Sequence, residues 1–295
     1  MPIPKENQKL FSDFCIFSRK QLASWDIDPM YPLLKNYYRA KSLSWNEALW
    51  HTALYVGLYN IGSAAQCWKM FPKQKHIPAG TMPQMQTGTE RRLFRGRIND
   101  FVTCMNDMNK RSKGNLSSWV SKTASQGGER GWTDVRKQFE SIKFNGPWAS
   151  YKWADLLKQV HDYPITASDI GVGGGGKSAG PVAGMEKLTG RPWKECAEDI
   201  GLQKELYRVS IKAGVPFNGL DQLETALCDF NSLYKGRYYP GHDIDMQMEH
   251  LAYCDASLWE ARAKAIPPEY RGEVVGWFGV RKELLGKYRD ENVIV

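Results

Sequence analysis

Apolar residues return every three or four positions along most of this chain, and the two-residue alternation of a half-buried strand is nearly absent. Ser44 and Glu47 stand three apart at the head of one such segment, the spacing of a capping box. Behind them Trp45, Leu49, Ala53, Val56 and Tyr59 mark one face of a helix expected to reach residue 68. Prolines and glycines in residues 73–88 predict a loop, and a second helix is expected over residues 90–110. Thr133 is placed to cap a short helix ending near Ile142. Pro147 stands where a proline opens a helix; in it Trp148, Tyr151, Leu156 and Val160 lie toward one side, and Lys152 and Asp155 share a neighbouring face. Short helices are expected over 182–189, 192–202 and 203–213. Asp221 and Glu224 form a second capping-box spacing, opening LDQLETALCDFNSLYKG, which Gly236 closes. VVGWFGV, residues 274–280, fits either a helix or a strand. With no repeat, heptad or strand–helix alternation, the fold class is all-α, in one or two lobes.

Length and composition narrow the class further. A chain of 295 residues has room for one large domain or two modest ones. No run approaches the roughly 18 apolar residues of a membrane span, and MPIPKENQKLF lacks the basic-then-apolar layout of a signal peptide. The six cysteines are scattered, with no C-x-x-C and no histidine at metal-ligand spacing, so reduced thiols, a cytoplasmic setting and no metal are expected. A net charge of +8 and a pI near 9.0 point toward a polyanionic partner. Basic residues gather in ERRLFRGRINDFVTCMNDMNKRSKGN, which holds Arg91, Arg92, Arg95, Arg97, Lys110, Arg111 and Lys113. Eleven tryptophans and fourteen tyrosines supply a large core and also stacking surfaces for unpaired bases.

Residues 170–181, IGVGGGGKSAGP, match the phosphate-cradling pattern G-x-x-x-x-G-K-[ST] through Gly171, Gly176, Lys177 and Ser178. Such a loop needs a buried strand leading in and a sturdy helix leading out. HDYPITASD upstream is too polar for a central strand, and Ala179-Gly180-Pro181 is a poor first helical turn. The alternative use of a glycine turn between short helices is to let backbone N–H groups approach a DNA phosphate, as helix-hairpin-helix folds do. Gly173, Gly174, Gly175, Gly176, Lys177 and Ser178 are then DNA-binding candidates, together with Arg91, Arg92, Arg95 and Arg97.

Three segments, FNGPWASYKWADLL (144–157), GPVAGMEKLTG (180–190) and LETALCDFNSLYKGRYYPGHDID (223–245), together resemble the α-glutamyl/putrescinyl-thymine pyrophosphorylases and related amino acid:DNA transferases of bacteriophages. The likeness covers residues 140–245; the first 130 residues share only helical character. It implies a helix-hairpin-helix, DNA-glycosylase-like fold acting in thymine hypermodification in the cytoplasm of an infected host. On that basis an N-terminal helical region with the basic segment spans 1–130, a catalytic core 131–250 and a helical extension 251–295. The implied substrates are double-stranded DNA carrying phosphorylated 5-hydroxymethyluracil and a small amino acid or polyamine.

Displacing phosphate or pyrophosphate from the 5-methylene carbon calls for base flipping, cations for the departing anion and a base for the attacking amine. Lys152, Asp155, Glu224 and Asp229 are the catalytic candidates, and Lys235, Arg237, His242, Asp243 and Asp245 the substrate-binding ones. Lys152 suits the departing phosphate and Arg237 an incoming carboxylate. Cys228 sits in an apolar helical stretch and is expected to be a buried, inert thiol. The sequence requires no metal or organic cofactor. Three other functions fit the same residues: a 5-hydroxymethyluracil DNA kinase using GVGGGGKS, a DNA glycosylase, and a non-catalytic DNA-binding module.

Overall fold

The computed structural model describes residues 3–25, 27–171, 180–234 and 256–265. Among these the chain is all-α, and the only ladder-type contact is an isolated bridge between Gly128 and Ile165. The chain divides into two compact units, one made of Met1–Pro32, Ala167–Asp243 and Arg262–Val295, the other of Leu33–Thr166 and Ile244–Ala261.

The second unit is built around α3 (Trp45–Leu58), in which every residue from Ala48 to Leu58 is buried. The expected capping box is present: Ser44 N–H donates to Glu47 Oε2 at 2.9 Å and Glu47 N–H donates to Ser44 Oγ at 3.4 Å. The Ser44 hydroxyl, which donates to Glu47 Oε2 at 2.6 Å, and the Ser44 N–H hold the Glu47 carboxyl below its ordinary pKa. The one-faced pattern expected of this helix is corrected, since Trp45 is 48 % exposed while the rest of the segment is buried all round. Its length is corrected too. Tyr59 turns left-handed at φ 47°, and Asn60 caps a separate helix, α4 (Ile61–Met70), by accepting from Ser63 N–H at 2.9 Å. A polar side chain able to cap is what ends one helix and starts the next.

The helix expected over 90–110 is a 3₁₀ segment, Thr89–Phe94, followed by α5 (Ile98–Arg111). After α6 (Leu116–Ala124) comes α7 (Gly128–Glu140), which begins before Thr133; that residue lies mid-helix and its hydroxyl donates to Glu129 C=O, so it caps nothing. Pro147 opens α8 (Pro147–Gln159) as expected. Rings from α7 and α8 meet in the core, with Phe139 stacked on Trp153 at 4.2 Å and Trp132 edge-on to Tyr151 at 5.2 Å. α2 (Met30–Ala40) adds Tyr38, whose hydroxyl lies 3.0 Å from His51 Nδ1 and 2.9 Å from Thr52 Oγ1. Thr52 Oγ1 also lies 2.8 Å from His161 Nε2, completing a buried polar chain.

In the first unit α1 (Gln8–Ala23) and α12 (Leu220–Tyr234) share an aromatic core in which Phe14 meets Phe230 edge-on at 5.5 Å. α9 (Gly180–Thr189) lies against α12 so closely that a Cβ on Gly184 would stand 2.4 Å from the Leu227 carbonyl oxygen. A Cβ on Gly180 would stand 2.5 Å from Cys228 Sγ. These two glycines, one helical turn apart, are what let the helices approach. The single helix expected over 192–202 is divided into α10 (Trp193–Glu198) and α11 (Ile200–Lys212), because Asp199 accepts from Leu202 N–H at 3.0 Å and caps the second. The capping box expected at Asp221 is likewise displaced: α12 begins at Leu220, so Asp221 is inside its first turn and 1 % exposed. There an acidic side chain suits the helix dipole. Gly236 and residues 274–280 lie outside the described residues. α13 (Ala256–Ala265) completes the described helices.

Two consequences are measurable. Gly184→Ala forces a methyl group into the α12 backbone and should lower stability by about 1–3 kcal/mol in urea titration; an unchanged midpoint would show the helices are not in that contact. His161 is buried, and burial holds its pKa down at about 3, against 6.5 for a free histidine. The unfolded chain takes up that proton below pH 6.5 while the folded one does not, so stability falls as pH drops from 6.5 toward 3. The expected slope is one proton, about 1.4 kcal/mol per pH unit, and His161→Gln should remove that proton from the dependence.

Candidate functional site

In the second unit, α8 is buried from Ala149 to Leu157, and within that stretch stand two charged side chains. Lys152 is 7 % exposed and Asp155 1 %. One helical turn apart, they bring Lys152 Nζ to 3.3 Å from Asp155 Oδ2. A charge withdrawn from water is costly unless another group answers it, so the spacing expected from the sequence is also an energetic necessity. The rings next to Lys152 in the chain, Tyr151 and Trp153, pack on Trp132 and Phe139 of α7, with the Arg136 guanidinium 5.4 Å above the Tyr151 ring. A cation held this way can oppose charge on a departing anion, and the carboxylate beside it can receive a proton.

Two further candidates, Glu224 and Asp229, lie on α12 of the first unit and are each 4 % exposed. Asp229 is explained by a partner that sequence reasoning missed: Gln21, fully buried on α1, donates from Nε2 to Asp229 Oδ2 at 2.7 Å. Phe14, Phe17 and Gln21 recur at three and four residues on that helix, and a glutamine on an otherwise apolar stripe was the available signal. One turn earlier the Thr225 hydroxyl lies 2.9 Å from Asp28 Oδ2 and 3.2 Å from Glu224 Oε2. A hydroxyl has one proton and satisfies one carboxylate at a time. Asp28 and Glu224 thus both approach the Thr225 hydroxyl.

The arginines expected at a DNA surface divide. Arg91 is 4 % exposed; its guanidinium donates to Gly57 C=O at 3.1 Å, Phe144 C=O at 3.4 Å and Asn145 Oδ1 at 3.3 Å, and burial lowers its pKa. Arg95 and Arg97 are exposed, and Arg97 pairs with Asp100 at 2.5 Å. Arg92 lies in the 3₁₀ segment Thr89–Phe94. Gly173, Gly174, Gly175, Gly176, Lys177, Ser178, Lys235, Arg237, His242, Asp243 and Asp245 lie outside the described residues. Cys228, expected to be buried, is half-buried against Gly180. Cys15, Cys67, Cys104 and Cys196 are buried and, like Cys228, carry no disulfide; burial pushes Cys67 and Cys104 up to about 12. Among the described residues no helix is long and apolar enough to cross a membrane.

A profile of the amino acid:DNA transferases matches residues 26–239, which include Lys152, Asp155, Glu224 and Asp229. The chain belongs to the amino acid:DNA transferase family. No curated protein matches it. The family makes the protein a transferase whose partners are DNA and an amino acid, in agreement with the resemblance carried by residues 140–245.

In this transferase the Lys152–Asp155 pair has a stability signature. Lys152→Met removes the ammonium 3.3 Å from a buried carboxylate and should cost about 3–5 kcal/mol, whereas Lys152→Met combined with Asp155→Leu should regain most of it. Urea unfolding of the three proteins measures this; equal losses in the single and double variants would mean that the two charges do not answer each other.

Proposed function

We propose that this transferase acts on double-stranded DNA carrying phosphorylated 5-hydroxymethyluracil, in bacteriophage thymine hypermodification. The amine nitrogen of an amino acid or polyamine forms a bond to the 5-methylene carbon. The bond from that carbon to the phosphate oxygen breaks, and phosphate or pyrophosphate leaves with the electron pair. The amine proton passes to a carboxylate. Because that carbon is crowded by neighbouring bases, the nucleotide is flipped into the protein.

The observation that carries this reading is the family match across both sets of buried charges. Lys152 is assigned to the departing phosphate and Asp155 to orienting it, since a buried ammonium acts on developing negative charge far more strongly than an exposed one. Glu224 and Asp229 are assigned to the amine, Glu224 as acceptor of its proton; their burial on α12, away from bulk water, supports this. Arg237 and Lys235 are assigned to the carboxylate of the incoming amino acid, and His242, Asp243 and Asp245 to its amino group. The glycine tract 173–176 with Lys177 and Ser178, and Arg95 with Arg97, are assigned to DNA phosphates.

Nucleoside mass spectrometry on phosphorylated 5-hydroxymethyluracil DNA, incubated with the protein and pooled amino acids and polyamines, tests the reaction. An amine-substituted thymine, with phosphate or pyrophosphate released, is expected. Asp155→Asn and Asp229→Asn, which preserve shape, should lower the yield by about 10²-fold or more while DNA binding survives. Alkali-labile strand breaks would identify a glycosylase instead. Micromolar ATP affinity lost in Lys177→Ala would identify a kinase.

A further inference from the structure

Phe144, in the turn between α7 and α8 of the second unit, combines three properties, which Trp25 of the first unit (54 % exposed, φ 58°) also shows. It is a large apolar side chain, it is 37 % exposed, and its backbone is left-handed at φ 65°. That conformation is costly for a residue with a Cβ and persists only where the surroundings impose it. Here they do. Arg91 holds the turn from one side through Phe144 C=O and Asn145 Oδ1, and Cys104 Sγ lies 3.5 Å from the same Asn145 oxygen. On the other side Asp107 Oδ2 accepts from Lys143 N–H at 2.9 Å and from Arg111 Nε at 2.9 Å, and Arg111 Nη1 reaches Ser141 Oγ.

The ring itself is braced from beneath. Phe94 lies edge-on to Phe144 at 6.1 Å and to the fully buried Phe101 at 6.0 Å, while the Arg91 guanidinium sits 4.4 Å over the Phe94 ring. Next to Phe94 in the chain is Leu93, 42 % exposed. Exposed cations lie nearby in sequence: Lys143 precedes Phe144, and Arg95 stands two residues after Leu93. A core has no use for an aromatic ring held outward at a backbone cost, and a plain surface would carry a glycine or asparagine there. Apolar tips flanked by cations are suited to a stacked polyanion, in which the tip enters between bases and the cations meet the backbone.

We propose that Phe144, with Leu93 of the 3₁₀ segment that carries its neighbour Phe94, is a wedge that enters the base stack of duplex DNA, while Lys143 and Arg95 contact the flanking phosphates. The proposal rests on the reading that DNA is the substrate of this protein.

The test uses the full chain and a duplex with 2-aminopurine at successive positions around a phosphorylated 5-hydroxymethyluracil. Wild type should raise 2-aminopurine fluorescence as the base unstacks. Phe144→Gly, which fits the left-handed backbone without strain, should abolish the rise and weaken binding about 10-fold. Leu93→Ser should reduce the rise as well. Arg95→Ala with Lys143→Ala should lower the slope of log affinity against log salt by about 2 while wild-type unstacking persists at low salt. An undiminished rise in Phe144→Gly overturns the wedge. So does a wild-type dimer that Phe144→Gly splits, which would make the patch a contact between copies of the chain. If wild type unstacks the duplex but no amine is transferred, the wedge stands and the proposed reaction fails.

Discussion

A charged group taken out of water must be met by another group within hydrogen-bonding reach, and much of this protein is arranged around that requirement. Lys152 and Asp155 meet it within one turn of α8. Asp229 meets it through Gln21 on another helix, and Arg91 through one carbonyl of α3 and one of the α7–α8 turn. Each solution fixes backbone as well as side chain. The Arg91 fork, for instance, holds the 3₁₀ segment, α3 and the α7–α8 turn in one arrangement, because its donors are planar and directed. A chain that only needed to fold would have placed leucines at several of these positions, since replacing a buried ion pair by packed apolar residues is often neutral or stabilising. Buried polar groups in such number are more economically explained by a task.

That task follows from the family and is shaped by the helices. In the reaction proposed above, the amine loses a proton and gains a carbon while an anion departs. The first unit offers carboxylates on α12, with Asp28 and Glu224 sharing the Thr225 hydroxyl. The second offers an ammonium held beside a carboxylate on α8.

Much of this was legible in the sequence, and what was not has specific causes. All-helical architecture followed from apolar spacing, and the Ser44–Glu47 box and Pro147 gave two helix starts correctly. Helix ends were misplaced wherever a side chain inside an apolar run caps a new helix, as Asn60 and Asp199 do, because continuous periodicity hides a change of direction. The Lys152–Asp155 pair could be expected because both partners lie on one helix. The Gln21–Asp229 and Asp28–Thr225 contacts could not, because their partners are separated by roughly two thirds of the chain and only folding brings them together. Arg91 looked like its neighbours Arg95 and Arg97 in a basic run, and nothing in composition distinguishes an arginine that braces a turn from one that faces solvent.

Glycine carries the same ambiguity, and here its uses separate on physical grounds. In GPVAG the glycines at 180 and 184 lie one turn apart on α9, each pressed against α12 at a distance that admits no Cβ. Helix packing accounts for them fully, with no need of a phosphate. Their consequence reaches the acidic face of α12, because Gly180 rests on Cys228, the residue before Asp229. The chain therefore leaves the glycine tract at a fixed point beside Asp229, set by the contact between two helices. A side chain at either glycine would push α9 away and move that point. The small residues at 180 and 184 thus serve the contact between α9 and α12.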